Sequence, residues 1–280
     1  RRMYLFCIST GQMSPTVQDI LDIIETFAPA RLAEPWDNVG LMLGDPAAPV
    51  SAILLGLDPT LELLDEARSI KASLIITHHP LIFTPLKAVH LDRIDGRFID
   101  QAIRHKISII SSHTNFDIAP EGTSDVLARL LGLQDIRPLA PVDRGEPGHG
   151  LGRIGAYPEP LSAEEFLERL RHACSPPWLL GAGRAPRQIK SVAVCGGSCG
   201  ELVDLARQAG TQVLITAEVK HHLARRAEET GLWLIDAGHF ATEFPGMRHL
   251  ARMLTEEAGK RFGGLAVTVT DSQRSPLNPI

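Results

Sequence analysis

Cysteine is scarce in this chain. Cys7, Cys174, Cys195 and Cys199 are the only four in 280 residues, and none sits in a CxxC pair. That excludes a disulfide scaffold and a zinc ribbon, and it fits a reducing, cytoplasmic setting. Long apolar runs are missing as well: nothing approaches the roughly 18 uninterrupted apolar residues of a membrane-spanning helix. Positive charge is not in excess, because 28 Lys and Arg against 33 Asp and Glu leave a net charge of −5. With no basic run, neither nucleic acid nor an anionic membrane surface is the expected partner. Walker loops and the Rossmann glycine fingerprint are also absent. Core-forming sequence is plentiful. Apolar residues make up 44% and charged residues 22%, which excludes a wholly disordered chain. The length suits one large domain or two smaller ones.

Residues 1–13 read as an extension upstream of the folded chain, since the short apolar stretch after Arg1 and Arg2 lacks a cleavage site. Val17, Ile20, Leu21, Ile24 and Phe27 recur at helical spacing and predict a helix over 16–28. A loop over 29–49 follows. Strands are expected at 52–57, 73–77 and 107–111, and helices at 61–70, 98–105 and 124–131. Asp58-Pro59 reads as an N-cap followed by a first-turn proline. Proline and glycine crowd 138–152, which reads as a linker between a first α/β domain (14–137, with part of the C-terminal segment) and a second (153–270). In the second half, Ser162 and Glu165 form a capping box for a helix to 173. Strands at 154–157, 190–195, 212–216, 232–236 and 264–269 alternate with helices at 201–209, 218–229 and 243–257, leaving 271–280 as a tail. The alternation predicts mixed α/β sheets covered by helices. Leu74-Ile75-Ile76-Thr77-His78-His79 and Leu214-Ile215-Thr216 with His221-His222 suggest a partial duplication.

Three polar clusters each follow a short apolar run: His78-His79, His113 with Asp117, and His239 with Glu243. Ligands of open α/β sheets bind beyond the carboxyl ends of strands, so these clusters meet if their strands are parallel neighbours. His113 and Asp117 are four residues apart, as are His239 and Glu243, so each pair faces one side of a helical turn. Adjacent histidines in a tight loop can address two neighbouring cations. Carboxylates can bridge two cations, and a pair about 3.5–4 Å apart activates water and clamps a reacting oxygen. With no thiolate among the candidates, Zn, Mn, Fe, Co or Ni is expected. His90, His105, His149, His172 and His249 read as structural or solvated.

The strings WDNVGL (36–41), THHPLIF (77–83), SSHTNFD (111–117) and GHFATEFPG (238–246) resemble the Nif-three-like family, often labelled GTP cyclohydrolase 1 type 2 homologues. The resemblance runs from about Ser14 to about Val269 and matches the family's short form. Phe116 and Phe240 depart from the usual Leu and Tyr. The resemblance implies two related α/β domains with a dinuclear metal cleft between them and a toroidal homohexamer. It puts metal ligands on His78, His79, Asp117, His239 and Glu243, with Glu243 as the bridge. His113 matches a position close to the metals, as ligand, as supporting group or as proton carrier. The implied activity is metal-dependent hydrolysis of a nucleotide or other phosphorylated small molecule. A ring scaffold that handles metal or binds partners without catalysis is the alternative.

Other residues stay open on sequence grounds. Asp37 or Asn38 either orients a ligand or fixes its own loop through Asx hydrogen bonds. Glu218, Lys220 and His222 either line the cleft or form a polar first helical turn. Gly196-Gly197-Ser198-Cys199-Gly200 matches a nucleophile elbow, which would make Ser198 a serine-hydrolase nucleophile. It reads equally as a phosphate cradle or a plain tight turn.

Overall fold

The structure, a computed structural model, describes residues 14–142 and 147–280. The extension expected at 1–13, with Cys7, lies outside the described residues. Helix α1 (Val17–Phe27) starts at a capping box: Asp19 N–H donates to Thr16 Oγ1 at 3.2 Å, and Thr16 N–H donates to Asp19 Oδ2 at 2.7 Å. After it come β1 (Gly40–Leu43), β2 (Ala52–Gly56), α2 (Leu61–Ser69), β3 (Leu74–Thr77), α3 (Ile94–Arg104), β4 (Ser108–Ser111), α4 (Thr114–Ile118) and α5 (Thr123–Leu130). The chain continues through β5 (Gln134–Pro141), β6 (Gly150–Leu161), α6 (Ala163–Cys174), β7 (Leu180–Ala182), β8 (Ile189–Val194), α7 (Val203–Gln208) and β9 (Val213–Thr216). It ends with α8 (His221–Thr230), β10 (Trp233–Asp236), α9 (His239–Phe262) and β11 (Ala266–Val269).

Two mixed sheets result, ordered β1-β4-β3-β2-β11 and β5-β6-β8-β9-β10-β7. In the first, β2, β3 and β4 are parallel and β1 closes the edge antiparallel to β4. In the second, β8, β9 and β10 are parallel and β7 closes the edge antiparallel to β10. The plan is therefore the same twice: a helix, an antiparallel edge strand, then three parallel strands joined by helices. The core strands are fully buried four-residue runs such as LIIT and VLIT, as sheets covered on both faces require.

Helix α9 ties the halves together. It leaves β10 of the second sheet, yet Met247, Leu250 and Leu254 are fully buried with α1, β2 and β3 in the first core. Strand β11 then pairs parallel with β2, so the last strand also lies in the first sheet. Gly246 permits close approach here: a Cβ on it would meet Thr123 Cγ2 at 2.9 Å.

Several elements differ from expectation. The stretch 138–152 holds the adjoining ends of β5 and β6, an antiparallel pair, rather than a free linker; residues 143–146 lie outside the described ones. Pro138 and Pro141 are tolerated because β5 is an edge strand. Strands β1 and β7 escaped detection because they are short and only partly buried or exposed. Helix α3 begins at Ile94, not 98, since Arg93 provides no side-chain cap to mark the start. Helix α9 begins at His239, not 243; its N-cap is Gly238, and Pro245 inside the helix imitates a first-turn proline.

Candidate metal centre

The carboxyl ends of the two sets of parallel strands face each other, and the six residues singled out from sequence come together between them. His78 and His79 follow β3, and their backbone N–H groups bond to Gly56 and Leu57 carbonyls at 3.3 and 2.9 Å. His113 and Asp117 follow β4, on and before the short α4. His239 and Glu243 occupy the first two turns of α9 after β10. The two His–carboxylate pairs thus sit at equivalent points of the repeated plan.

Glu243 is 3% exposed and lies at the centre. Its Oε2 is 2.9 Å from His239 Nε2 and 3.2 Å from His79 Nε2, and its Oε1 is 3.7 Å from His78 Nε2. His78 Nε2 is 3.5 Å from Asp117 Oδ1. Two groups have ligand atoms within 4.8 Å of one another: His78, His79 and His113, and His79, His239 and Glu243. Either could hold a cation, and His79 belongs to both.

Each histidine is oriented through its outer nitrogen. His78 Nδ1–H donates to the Ser112 carbonyl at 2.9 Å, and His79 Nδ1–H to Asp58 Oδ1 at 2.7 Å. His113 Nδ1–H donates to Asp37 Oδ1 at 2.9 Å, and His239 Nδ1–H to Glu218 Oε1 at 2.9 Å. These acceptors leave Nε2 of all four rings for the cleft, the arrangement that metal-binding histidines adopt. Buried polar atoms normally find hydrogen-bond partners. His78 Nε2 and Glu243 Oε2 are buried without one in hydrogen-bond geometry, despite their close neighbours. A cation among them would satisfy both, so the residues fit a metal.

The electrostatics agree. Burial pushes the Glu243 carboxyl up, but His78, His239 and His79 outweigh it and hold it well below the usual range. Burial lowers His79 and His239, yet Asp58 and Glu243 raise the former to about 10, and Glu243 raises the latter to about 9. Burial also raises Asp37, but hydrogen bonds from His113 and Thr114 bring it down to about 2. Asp117 is pushed up, chiefly by burial; Thr123 Oγ1 donates to its Oδ1.

The supporting acids were mostly hidden in the sequence. Asp58 is not the N-cap of α2; Thr60 is, accepting Leu63 N–H at 3.2 Å. Asp58 instead serves His79, and its backbone is held by Gln273 from the tail: Leu57 N–H donates to Gln273 Oε1 at 2.7 Å, and Gln273 Nε2 donates to the Asp58 carbonyl at 2.6 Å. Glu218 does not belong to a first helical turn. It precedes α8 in the left-handed region, at φ 53, and that turn delivers its carboxylate to His239. Asp37 orients His113, and also accepts Thr114 N–H at 3.0 Å. Asn38 fixes the loop instead, donating to the Ile82 carbonyl. Lys220 pairs with Glu201 at the surface, and His222 is exposed.

The glycine turn 196–200 is the floor beneath Glu243. A Cβ on Gly197, at φ +68, would lie 2.1 Å from Glu243 Oε1. Three of its backbone N–H groups are already used: Gly196 donates to Ser124, Gly197 to Thr242 and Cys199 to Thr216. Those three are not free to cradle a phosphate. Ser198 is exposed, and the downstream His239, which could have served it as a base, is committed to Glu218 and the Glu243 cluster, which leaves the serine-hydrolase reading without that base. Cys195 and Cys199 are free, as is Cys174.

Among the described residues no helix is long and apolar enough to cross a membrane. A family model described as Duf34/NIF3 (NGG1p interacting factor 3) matches residues 15–276. The chain is similar to a Clostridium acetobutylicum protein named GTP cyclohydrolase 1 type 2 homolog, 34% identical over 94% of this chain and 98% of that one. A Streptomyces coelicolor protein of the same name is 35% identical over 94% and 93%. Among solved structures, Staphylococcus aureus protein SA1388 aligns with a TM-score of 0.88 at 26% identity, covering 95% of this chain and 99% of that one. A Bacillus cereus protein related to NIF3 shares the fold, with a TM-score of 0.89 at 24% identity over 95% and 99%. From the repeated sheets to the histidine strings, the chain belongs to the Duf34/NIF3 family.

Proposed function

We propose that the chain is a metal-dependent hydrolase that holds two divalent cations with His78, His79, Asp117, His239 and Glu243. The observation that carries the reading is the convergence of three oriented Nε2 atoms, of His78, His79 and His239, on one buried carboxylate whose two oxygens reach different histidines. Glu243 would be shared between the two cations. Bound there, they would supply Lewis-acid activation and charge neutralisation at a reacting oxygen.

The chain's own residues do the rest. Asp58 and Glu218 keep His79 and His239 in one tautomer and one orientation. Asp37, held ionised, fixes the His113 Nδ1 proton and leaves Nε2 to carry a proton in the cleft, a general acid–base role. The relatives' name, GTP cyclohydrolase 1 type 2 homolog, supports a nucleotide or other phosphorylated small molecule as the substrate. The ring assembly expected from the family resemblance remains part of this proposal.

The test is elemental analysis of gently purified protein beside a His78→Ala/His79→Ala variant, followed by turnover of nucleotides and phosphoesters by wild type and Glu243→Gln. About two equivalents of a transition metal per chain, lost in the variant, with turnover abolished by Glu243→Gln, is the expected result. Bound metal that passes to an apo-acceptor without any turnover would favour a metal-handling protein instead. No metal in either protein would overturn the reading.

A further inference from the structure

Some surface arginines of this acidic chain are neutralised by neighbouring acids. Arg68, Arg104, Arg129, Arg225 and Arg226 each have an Asp or Glu oxygen within 3.0 Å. Arg248, Arg252 and Arg274 are brought together: all three wall one cavity of about 790 Å³, and none has a carboxylate in ion-pair reach among the described residues. Phe244, Arg248 and Arg252 lie four residues apart on α9, so they share one face of it. Arg248 stacks over the Phe244 ring at 5.3 Å. Arg252 meets His249 Nδ1. Arg274 donates to the carbonyls of Asp271 and Gln273 at 2.6 and 2.7 Å, which positions the guanidinium without cancelling its charge. Asp271 is the one carboxylate on the wall. Guanidinium forks match phosphate oxygens, and a concave wall with an excess of positive charge concentrates the field that attracts them.

The mouth of the metal centre has the opposite character. A second cavity, of about 420 Å³, opens at His79 and His239 and carries Asp58, Glu218 and Asp236, with Trp178 and Leu180 as apolar walls and no Lys or Arg. The two cavities share Phe240 and Ser275 as a common wall. Of the two cavities, only the one walled by arginines offers guanidinium donors to a phosphate group. We propose that the cavity walled by Arg248, Arg252 and Arg274 binds the phosphate groups of a phosphorylated ligand, whose organic end extends past Phe240 towards the metal centre. Resting on the hydrolase reading above, this puts the bond to be hydrolysed in the organic part and leaves the phosphate as a handle.

The test is calorimetric titration of pyrophosphate into the full chain, metal-loaded and metal-stripped, for wild type, Arg248→Gln/Arg252→Gln and Arg248→Lys. Circular dichroism and sedimentation of each protein check folding and assembly. The expected result is binding that survives metal removal and weakens at least about tenfold per arginine lost, with partial retention in Arg248→Lys. Raising the salt concentration should weaken it further. Absence of binding overturns the proposal. So does binding that vanishes with the metal and ignores the arginines, which would seat pyrophosphate on the cations. An arginine variant that changes the assembly and leaves pyrophosphate affinity intact would make this face a contact between copies, again against the proposal. Metal content in Glu243→Gln reports on the hydrolase reading alone, so the two can fail separately.

Discussion

Gly197→Ala separates backbone strain from the integrity of the proposed metal centre. The residue sits at φ +68, where an L side chain costs about 1–2 kcal/mol. Its backbone cannot slide away, because its N–H is bonded to Thr242 Oγ1 at 3.0 Å and its carbonyl accepts Ala217 N–H and Thr216 Oγ1, both at 2.9 Å. The new methyl would lie 2.1 Å from Glu243 Oε1 and 3.4 Å from His239 Nε2. Ordinary contact begins at 3.4 Å, so the carboxylate must withdraw by more than 1 Å. Metal–ligand distances tolerate about 0.2 Å, so that displacement unseats the proposed bridge. Losing a group that merely supports a ligand costs about 10–100-fold in metal affinity, and moving the bridge should cost no less. Gly210→Ala is the matched control: it has φ +79, and nothing lies within 4 Å of its Cβ. Thermal unfolding of the stripped proteins should show both variants lowered by about 1–2 kcal/mol, or roughly 2–4 °C for each kcal/mol. Metal titration should show weakened binding in Gly197→Ala only. Wild-type affinity for both cations in Gly197→Ala would refute the assignment of Glu243 as bridge.

Arg153, 1% exposed, donates to Asp125 and to the carbonyls of Gly150, Gly152 and Ala119, pinning β6 to the end of α4 and to α5. Arg153→Ala leaves Asp125 buried without its partner and should cost about 3–5 kcal/mol in urea unfolding; a loss below about 1 kcal/mol would contradict the clamp. The pH response follows from His79 and His239, raised to about 10 and about 9 from an ordinary 6.5. A raised folded value stabilises fully below about pH 6.5 and is lost as pH climbs through 9–10, so the metal-stripped protein should lose melting temperature over that window. Cations displace those protons, so the loaded protein should hold its melting temperature there, and its metal affinity should rise with pH. Equal pH profiles for loaded and stripped protein would count against this.

The strands and the metal-site candidates were legible because each reports through a local pattern. Buried parallel strands read as short β-branched runs, and His78, His113 and His239 each stand just beyond one. The residues that aim those histidines report through nothing local. Asp58 lies beside a proline and imitates a helix cap, while its actual task is set by His79, 21 residues on. Glu218 imitates a first-turn acid because its left-handed backbone is invisible in the sequence. Gly196 and Gly200 matched a nucleophile elbow, whereas Gly197, at a position that motif leaves free, is glycine because of its close approach to Glu243. Gln273 looked like part of a tail; only the pairing of β11 with β2 brings it to the turn that bears Asp58. What stayed hidden was long-range: which carboxylate reaches which ring, and which edge strands close each sheet.

The repeat explains why the centre lies where it does. Each half ends its third parallel strand in a His–carboxylate pair, His113 with Asp117 or His239 with Glu243. One such pair is too few donors for a firmly held cation, which takes three or four protein ligands. The first half adds His78 and His79; the second has Ala217 and Glu218 after the corresponding β9, and Glu218 acts only through His239. The halves have thus diverged into a ligand-rich and a supporting side, and neither completes both sets of donors alone. Helix α9 resolves this by carrying Glu243 from the second sheet onto the first core, where Met247 and Leu250 are fully buried. A cation bound there would contact residues of both halves. Its binding free energy would be lost if the halves separated, so metal should stabilise their docking by mass action as well as serve the chemistry.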